Sequence, residues 1–314
     1  MSEEKPDIEA LRRRIPDLPQ AITSFGAAVL DDSIYIYGGH HGEAHHYSQS
    51  GQSGELLRLD LNDLAAWRVV ASGPRLQGLA MVAHGGKLYR VGGFTARNQD
   101  DEDQDLWSVS DLACYDPQGG DWESLPPMPA DRSSFDAAVA GDTLYVVGGW
   151  AMQGEKETVW LDSAHAVDLS QTPLTWKPLA KPPFQRRALS VGALQGKVYV
   201  IGGMQPDGAV TTGTVVYDPK ADAWTDGPRL PGDDMEGFGT ACFPARDRLY
   251  VSTASGNILR LSDDGDAWES VAKLKAGRFF HRMLPFDRQH FAILGGASMK
   301  TGRFAQVDLA PIDP

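Results

Sequence analysis

Arg132-Ser133-Ser134-Phe135-Asp136-Ala137-Ala138-Val139-Ala140-Gly141-Asp142-Thr143-Leu144-Tyr145-Val146-Val147-Gly148-Gly149-Trp150 reads as two adjacent antiparallel strands. A small, apolar run meets a turn rich in Gly and Asp, and a second apolar run is stopped by paired glycines. The phrase recurs: Ile-Tyr-Ile-Tyr-Gly-Gly ends at Gly39, Leu-Tyr-Arg-Val-Gly-Gly at Gly93 and Val-Tyr-Val-Ile-Gly-Gly at Gly203. The repeating unit, rather than any single residue, therefore carries the fold.

The first glycines of the pairs are Gly38, Gly92, Gly148, Gly202 and Gly295, at spacings of 54, 56, 54 and 93 residues. The long gap hides a unit in which Arg248-Leu249-Tyr250-Val251-Ser252 supplies the strand and Thr253-Ala254 replaces the glycines, which divides the gap into steps of 51 and 42. Six units result. Each continues through a variable loop to a third strand and then a Trp: Leu59-Asp60 leads to Trp67, Tyr115-Asp116 to Trp122, Val167-Asp168 to Trp176, Tyr217-Asp218 to Trp224 and Leu261-Ser262 to Trp268. Pro-rich turns such as Leu125-Pro126-Pro127-Met128-Pro129 lead into the next unit.

Paired glycines after a Tyr-containing strand, followed by a spaced Tyr and Trp, resemble the kelch repeat, within the superfamily of galactose oxidase. The resemblance covers nearly the whole chain. It implies an all-β fold, a six-bladed kelch β-propeller with four antiparallel strands per blade around a central channel. Blades are centred on Gly38, Gly92, Gly148, Gly202, Thr253 and Gly295, within one domain over residues 9–314 behind an N-terminal tail of residues 1–8. Blade 6 runs out of chain after its third strand. Ile15-Pro16-Asp17-Leu18-Pro19 aligns with the turn at Leu125, so Ala10 to Arg14 is expected to close the last blade as an N-terminal strand.

A net charge of -13 argues against generic binding to nucleic acid, whose affinity comes from Lys and Arg. No stretch reaches the length of a membrane span, and the acidic start is unlike a secretory leader, so a cytoplasmic monomer is expected. Cys114 and Cys242 are too few for a disulfide framework or a zinc cage and read as reduced packing residues.

In propellers the loops before the first strand and after the second open on one face, where ligands bind. Arg132 lies three residues before Phe135; the same count gives Ile22, Leu76, Arg186, Met235 and Arg278 in the other units. Arg132, Arg186 and Arg278 are thus expected to converge at the channel mouth, with Arg75, Arg187 and Glu236 one step away. Guanidinium forks suit a carboxylate, a phosphate or an acidic peptide. The competing reading is structural, in which Arg at this position packs and bonds to strand ends. Trp150, directly after a glycine pair, suits either stacking on a ligand or anchoring its loop.

His40-His41-Gly42-Glu43-Ala44-His45-His46-Tyr47 holds four of the chain's eight His. His40, His41, His45 and His46 are weak metal candidates, because the Gly- and Ser-rich run after them is expected to be mobile; His40 reads rather as a ligand-contacting residue. Asp100 to Asp105 lacks the Gly and terminal Glu of a calcium loop and is expected to be solvated. No cofactor is expected.

Among kelch enzymes, galactose oxidase uses copper with a Tyr-Cys crosslink, and neither Cys114 beside Tyr115 nor Cys242 matches that site. The iron-binding residues of nitrile-specifier proteins are also unmatched. Bacterial sialic-acid epimerases are six-bladed kelch proteins; no catalytic motif of that family aligns onto these residues, but Glu236 as acid/base facing Arg186 or Arg278 as carboxylate clamp suits that reaction class on expected geometry. The leading reading is a protein whose loop face and channel mouth bind a protein or anionic small molecule. The alternative is a mutarotase or epimerase acting on an anionic sugar.

Overall fold

The structure, a computed structural model, describes residues 8–312. Six four-stranded antiparallel sheets succeed one another along the chain. In blade 3, for example, the strands are Asp136–Ala140, Thr143–Val147, Ala164–Asp168 and Lys177–Pro178, in that order from the axis outward. The first hairpin turns where Gly141 and Asp142 direct it, with Ala140 opposite Thr143 and Asp136 opposite Val147. Two short hairpins, Phe94–Ala96 with Leu106–Ser108 and Trp150–Ala151 with Val159–Trp160, extend blades 2 and 3 beyond their sheets.

The paired glycines are required twice over. Gly148 and Gly149 have φ of +77° and +89°, a region that L side chains rarely occupy. A Cβ on Gly149 would stand 2.5 Å from the Ser133 carbonyl oxygen, and one on Gly148 2.5 Å from Leu189 of the next blade. The glycines thus let each blade's second strand end against its neighbour.

The core is divided by seam. Six buried apolar clusters each join two adjacent blades, from Tyr37, Leu79 and Tyr115 between blades 1 and 2 to Phe25, Leu284 and Leu294 between blades 6 and 1. Neither blade alone could bury these faces, and closing the ring removes them from water. The repeat Trp residues reinforce the seams. Trp67, Trp176, Trp224 and Trp268 donate their indole N–H groups to Pro16, Pro126, Ala180 and Pro228, all in the turns entering their own blades, at 2.7–3.2 Å. The bond to Pro16 puts the N-terminal Pro turn where the repeat alignment expects it.

Ring closure departs from expectation in one respect. The sixth sheet is built from Phe279–Pro285, His290–Ser298, Gly302–Arg303 and Asp308–Pro311. The N-terminal segment that joins it is a short helix, Ile8–Arg12, and not the expected strand over Ala10 to Arg14. Ile8-Glu9-Ala10-Leu11-Arg12 is made mostly of strong helix formers with Glu9 in the first turn and Arg12 in the last. The chain ends still meet: the Lys275 ammonium donates to Glu9, Arg12 lies 3.9 Å from Asp308, and the Leu18 N–H donates to the Ala305 carbonyl. Of the expected tail of residues 1–8, residues 1–7 lie outside the described residues and Ile8 already belongs to the helix. Among the described residues no helix is long and apolar enough to cross a membrane.

Candidate functional site

One residue at the entrance to each blade adopts a left-handed backbone: Ser24, Gly78, Ser134, Ala188, Gly239 and Phe280, with φ from +53° to +61°. That conformation turns each N–H towards the preceding blade. Gly78 donates to Ser24, Ser134 to Gly78, Ala188 to Ser134, Gly239 to Ala188, Phe280 to Gly239 and Ser24 to Phe280, at 2.6–3.1 Å. The six bonds close into a ring around the axis.

Inside the ring, Arg282 divides the channel. Its Nη1 donates to Asp136 Oδ1 at 2.8 Å, while Nε and Nη2 donate to the Phe25 and Leu79 carbonyls. Asp136 Oδ2 in turn accepts the Val191 N–H. Arg282 therefore lines two cavities. One, of about 180 Å³, lies among the first strands; the other, of about 340 Å³, opens among the loops.

The loop-face cavity is walled by aromatic side chains, including Tyr47, Phe94, Trp150, Phe238 and Phe280, and neither Asp nor Glu is among its lining residues. Its polar groups are largely nitrogen. Gln77 Nε2, Trp150 Nε1, Arg187 Nε and both ring nitrogens of His281 are buried with no hydrogen-bond partner among the described residues. Arg187 stacks on Trp150 at 4.1 Å and on Trp160 at 5.8 Å, and its Nη2 approaches the Met204 sulfur. Burial holds its guanidinium below the usual arginine range, with Tyr47 opposing the shift. Burial, with Arg278 and Arg282 nearby, pulls His281 down to about 3, so its imidazole is neutral at physiological pH.

Of the residues expected at the mouth, Trp150 and Arg187 line this cavity, and so does His45, expected only as a weak metal candidate. The expected convergence of Arg132, Arg186 and Arg278 does not occur. Arg132 is 1% exposed and Arg278 fully buried. Each of the three fastens its own blade: Nη1 donates to the carbonyl of the blade's first glycine, Gly148, Gly202 or Gly295, and to a carbonyl just ahead of the next strand to pair with the second, Ser163, Gly213 or, before Asp308–Pro311, Gln306. Arg278 also pairs with Asp308. These guanidiniums satisfy carbonyls that the left-handed glycines leave without a ladder partner, which is the structural reading of the motif.

The fifth blade is out of register with the count. The carbonyl that receives the second-glycine N–H belongs to Ile22, Leu76, Arg132 and Arg186 in four seams, and in blade 5 to Gly237 rather than Met235. The 3-10 helix Asp234–Gly237 shifts the entrance by two residues, and a Cβ on Gly237 would fall 1.8 Å from the Thr211 carbonyl oxygen. Glu236 consequently sits in that helix, buried, with Oε2 unpartnered and its Cγ beside Gly232; it does not line the cavity. The position that does face the cavity lies one residue after the Arg site, at Gln77, Arg187 and Phe238.

His40 is buried beneath the loop, donating from Nε2 to the His46 carbonyl at 3.1 Å, and burial lowers it to about 4. His46 Nε2 donates to the Asp100 carbonyl. Among the described residues no group of three or more His, Cys, Asp or Glu is arranged to hold a metal. Nor is the His-rich loop loose. Ser50 donates to the Asp100 carboxylate, Gln104 to the His45 carbonyl, Asn98 to the Tyr47 carbonyl and Arg75 to the Gln49 carbonyl. The acidic loop is the brace that holds Tyr47 and His45 over the cavity. Gln77, His281, Tyr47 and Phe238 were not singled out by sequence; the one available signal was a polar His281 where other blades carry Phe25, Leu79, Phe135 and Leu189.

Repeats, glycine pairs and ring define a six-bladed kelch-repeat β-propeller. Residues 75–129 and 185–231 each match a family model described as a Kelch motif. Kelch-like protein 35 of Mus musculus is 27% identical over 69% of this chain and 33% of its own length. Beta-scruin of Limulus polyphemus is 29% identical over 61% of this chain and 20% of its own. The chain thus spans a third or less of these two relatives. The solved structure of YjhT superposes with a TM-score of 0.73 over 96% of this chain and 100% of that one, at 17% identity, which is a likeness of fold.

Proposed function

We propose that the chain is a binding propeller that takes an anionic group of its partner into the loop-face cavity, with Arg187 as the charge anchor. The observation that carries this reading is the set of buried, unpartnered nitrogens on Gln77, Trp150, Arg187 and His281 around a cavity without a lining carboxylate. Leaving such groups unpaired costs about 1–3 kcal/mol each, and an acceptor-rich ligand recovers that cost. Trp150 holds the Arg187 guanidinium by its face and leaves the edge for a carboxylate or phosphate. The group arrives on a protein or on a small molecule; kelch-type relatives support the first and the size of the cavity the second.

The isomerase alternative needs a carboxyl acid/base beside the anchored sugar. Glu236 lies outside the cavity lining, which favours binding over turnover. The test is a thermal-shift panel of carboxylates, phosphate and acidic peptides on the wild type and Arg187→Gln. A rise in melting temperature with anions, lost in Arg187→Gln and kept in Glu236→Gln, is expected. A rise that persists without Arg187 contradicts the assignment.

A further inference from the structure

The geometry points to a narrower ligand class: we infer that the loop-face cavity takes a small aromatic carboxylate that carries an acceptor oxygen on the ring end remote from its acid group. The inference rests on the anion-binding function proposed above. At about 340 Å³ the cavity lies at the small end of the range for small-molecule sites, roughly 300–1,000 Å³. That suits one ring and a short acidic arm.

The walls argue for the ring. Tyr47, Phe94, Trp150, Phe238 and Phe280 come from five different segments of the chain and line one space, and Phe238 and Phe280 are already packed edge to face at 5.0 Å. Aromatic groups prefer such edge and offset contacts, so a further ring completes the cluster.

The floor argues for the acceptor. Gln77 is 1% exposed and His281 2%, and both line the cavity with unpartnered nitrogens. At the His281 position four other blades place an apolar side chain against the first glycine of the preceding blade, as Leu79, Phe135, Leu189 and Phe25 do at Gly38, Gly92, Gly148 and Gly295. In the seam between blades 5 and 6 that glycine is Thr253, whose hydroxyl, like that of Ser252, is buried and unpartnered. His281 thus puts a polar side chain at a position that four other blades keep apolar, and Gln77 adds a second to the lining of the same cavity. A neutral imidazole and an amide NH₂ there are matched by a single phenolic or keto oxygen.

The test is calorimetry of the full chain with 4-hydroxyphenylacetate, phenylacetate, 4-hydroxyphenylacetamide, glucuronate and an acidic hexapeptide. The hydroxylated aryl acid is expected to bind best, about tenfold tighter than phenylacetate, with no detectable heat from the amide or from glucuronate. Binding of glucuronate or the peptide without the aryl acids overturns this ligand class and leaves the anion reading standing. Silence from every acid overturns both. His281→Phe installs the residue that blades 1 and 3 already use, and Gln77→Leu serves as the second variant. Each is expected to raise the melting temperature of the free protein and to erase the tenfold preference. A preserved preference, or a lowered melting temperature in both variants, overturns the assignment of the floor.

Discussion

Arg282 on blade 6 crosses the channel axis to Asp136 on blade 3, with 2.8 Å between Nη1 and Oδ1. The same guanidinium holds carbonyls of blades 1 and 2, and the same carboxylate holds a backbone N–H of blade 4. Five of the six blades are tied at one point beneath the ligand cavity. Asp136 is followed by the small, apolar residues of its strand, and it is the charge that blade 3 contributes to the channel.

Breaking this pair should be costly. Asp136→Ala leaves the half-buried Arg282 without its counter-charge, and the expected loss is about 1–3 kcal/mol of unfolding free energy. Replacing both residues, Asp136→Ala with Arg282→Met, should lose less than the single change, because no uncompensated charge remains. Urea denaturation of the three proteins checks the order.

Acid should destabilise the fold through two histidines. His281 is lowered to about 3 and His40 to about 4, both chiefly by burial, against 6.5 in the unfolded chain. Below pH 6.5 the unfolded chain binds protons that the folded chain does not, so stability falls as pH drops, until about 4 for His40 and about 3 for His281. In His281→Phe the slope of stability against pH between 4 and 6 should be shallower, with the remainder carried by His40 and by His41 and His165, which burial also lowers. Chemical denaturation across that range reads it.

The buried arginines should act on stability alone. Arg132→Met strands the Gly148 and Ser163 carbonyls, and at about 1–3 kcal/mol for each unsatisfied group the melting temperature should fall clearly. Anion affinity of the folded protein should stay within about twofold of the wild type, a shift of about 0.4 kcal/mol. Arg187→Gln should show the reverse pattern, with affinity lost and melting temperature nearly kept.

Removal of residues 1–14 should open the ring. It deletes the Glu9–Lys275 and Arg12–Asp308 contacts and the packing of Leu11 against the cluster between blades 6 and 1. A lower melting temperature and concentration-dependent oligomers are expected by light scattering, since the exposed seam is apolar.

The blades were legible because their steric demand is local: only glycine fits at Gly148 and Gly149, and such a pair marks five of the six seams in the sequence, Thr253-Ala254 standing at the sixth. The site was legible only in part. Trp150 and Arg187 stand next to such markers, whereas Tyr47 reaches the cavity through a loop braced by the distant Asp100 and Gln104, a contact no spacing encodes. The repeat count puts Met235 at the Arg position of blade 5, two residues early, because the 3-10 helix at Asp234–Gly237 adds a turn before the entrance at Gly239. The N-terminal segment was read by alignment to a strand, and its own residues, Glu9, Ala10 and Leu11, decided for helix.

The most direct measurement is the position of a heavy atom. Crystals soaked in 4-bromophenylacetate should give an anomalous bromine peak inside the loop-face cavity, between Phe238 and Phe280 and the floor at His281, with the carboxylate on the edge of Arg187. A bromine peak elsewhere on the surface, or a cavity left empty at saturating ligand, would contradict the account.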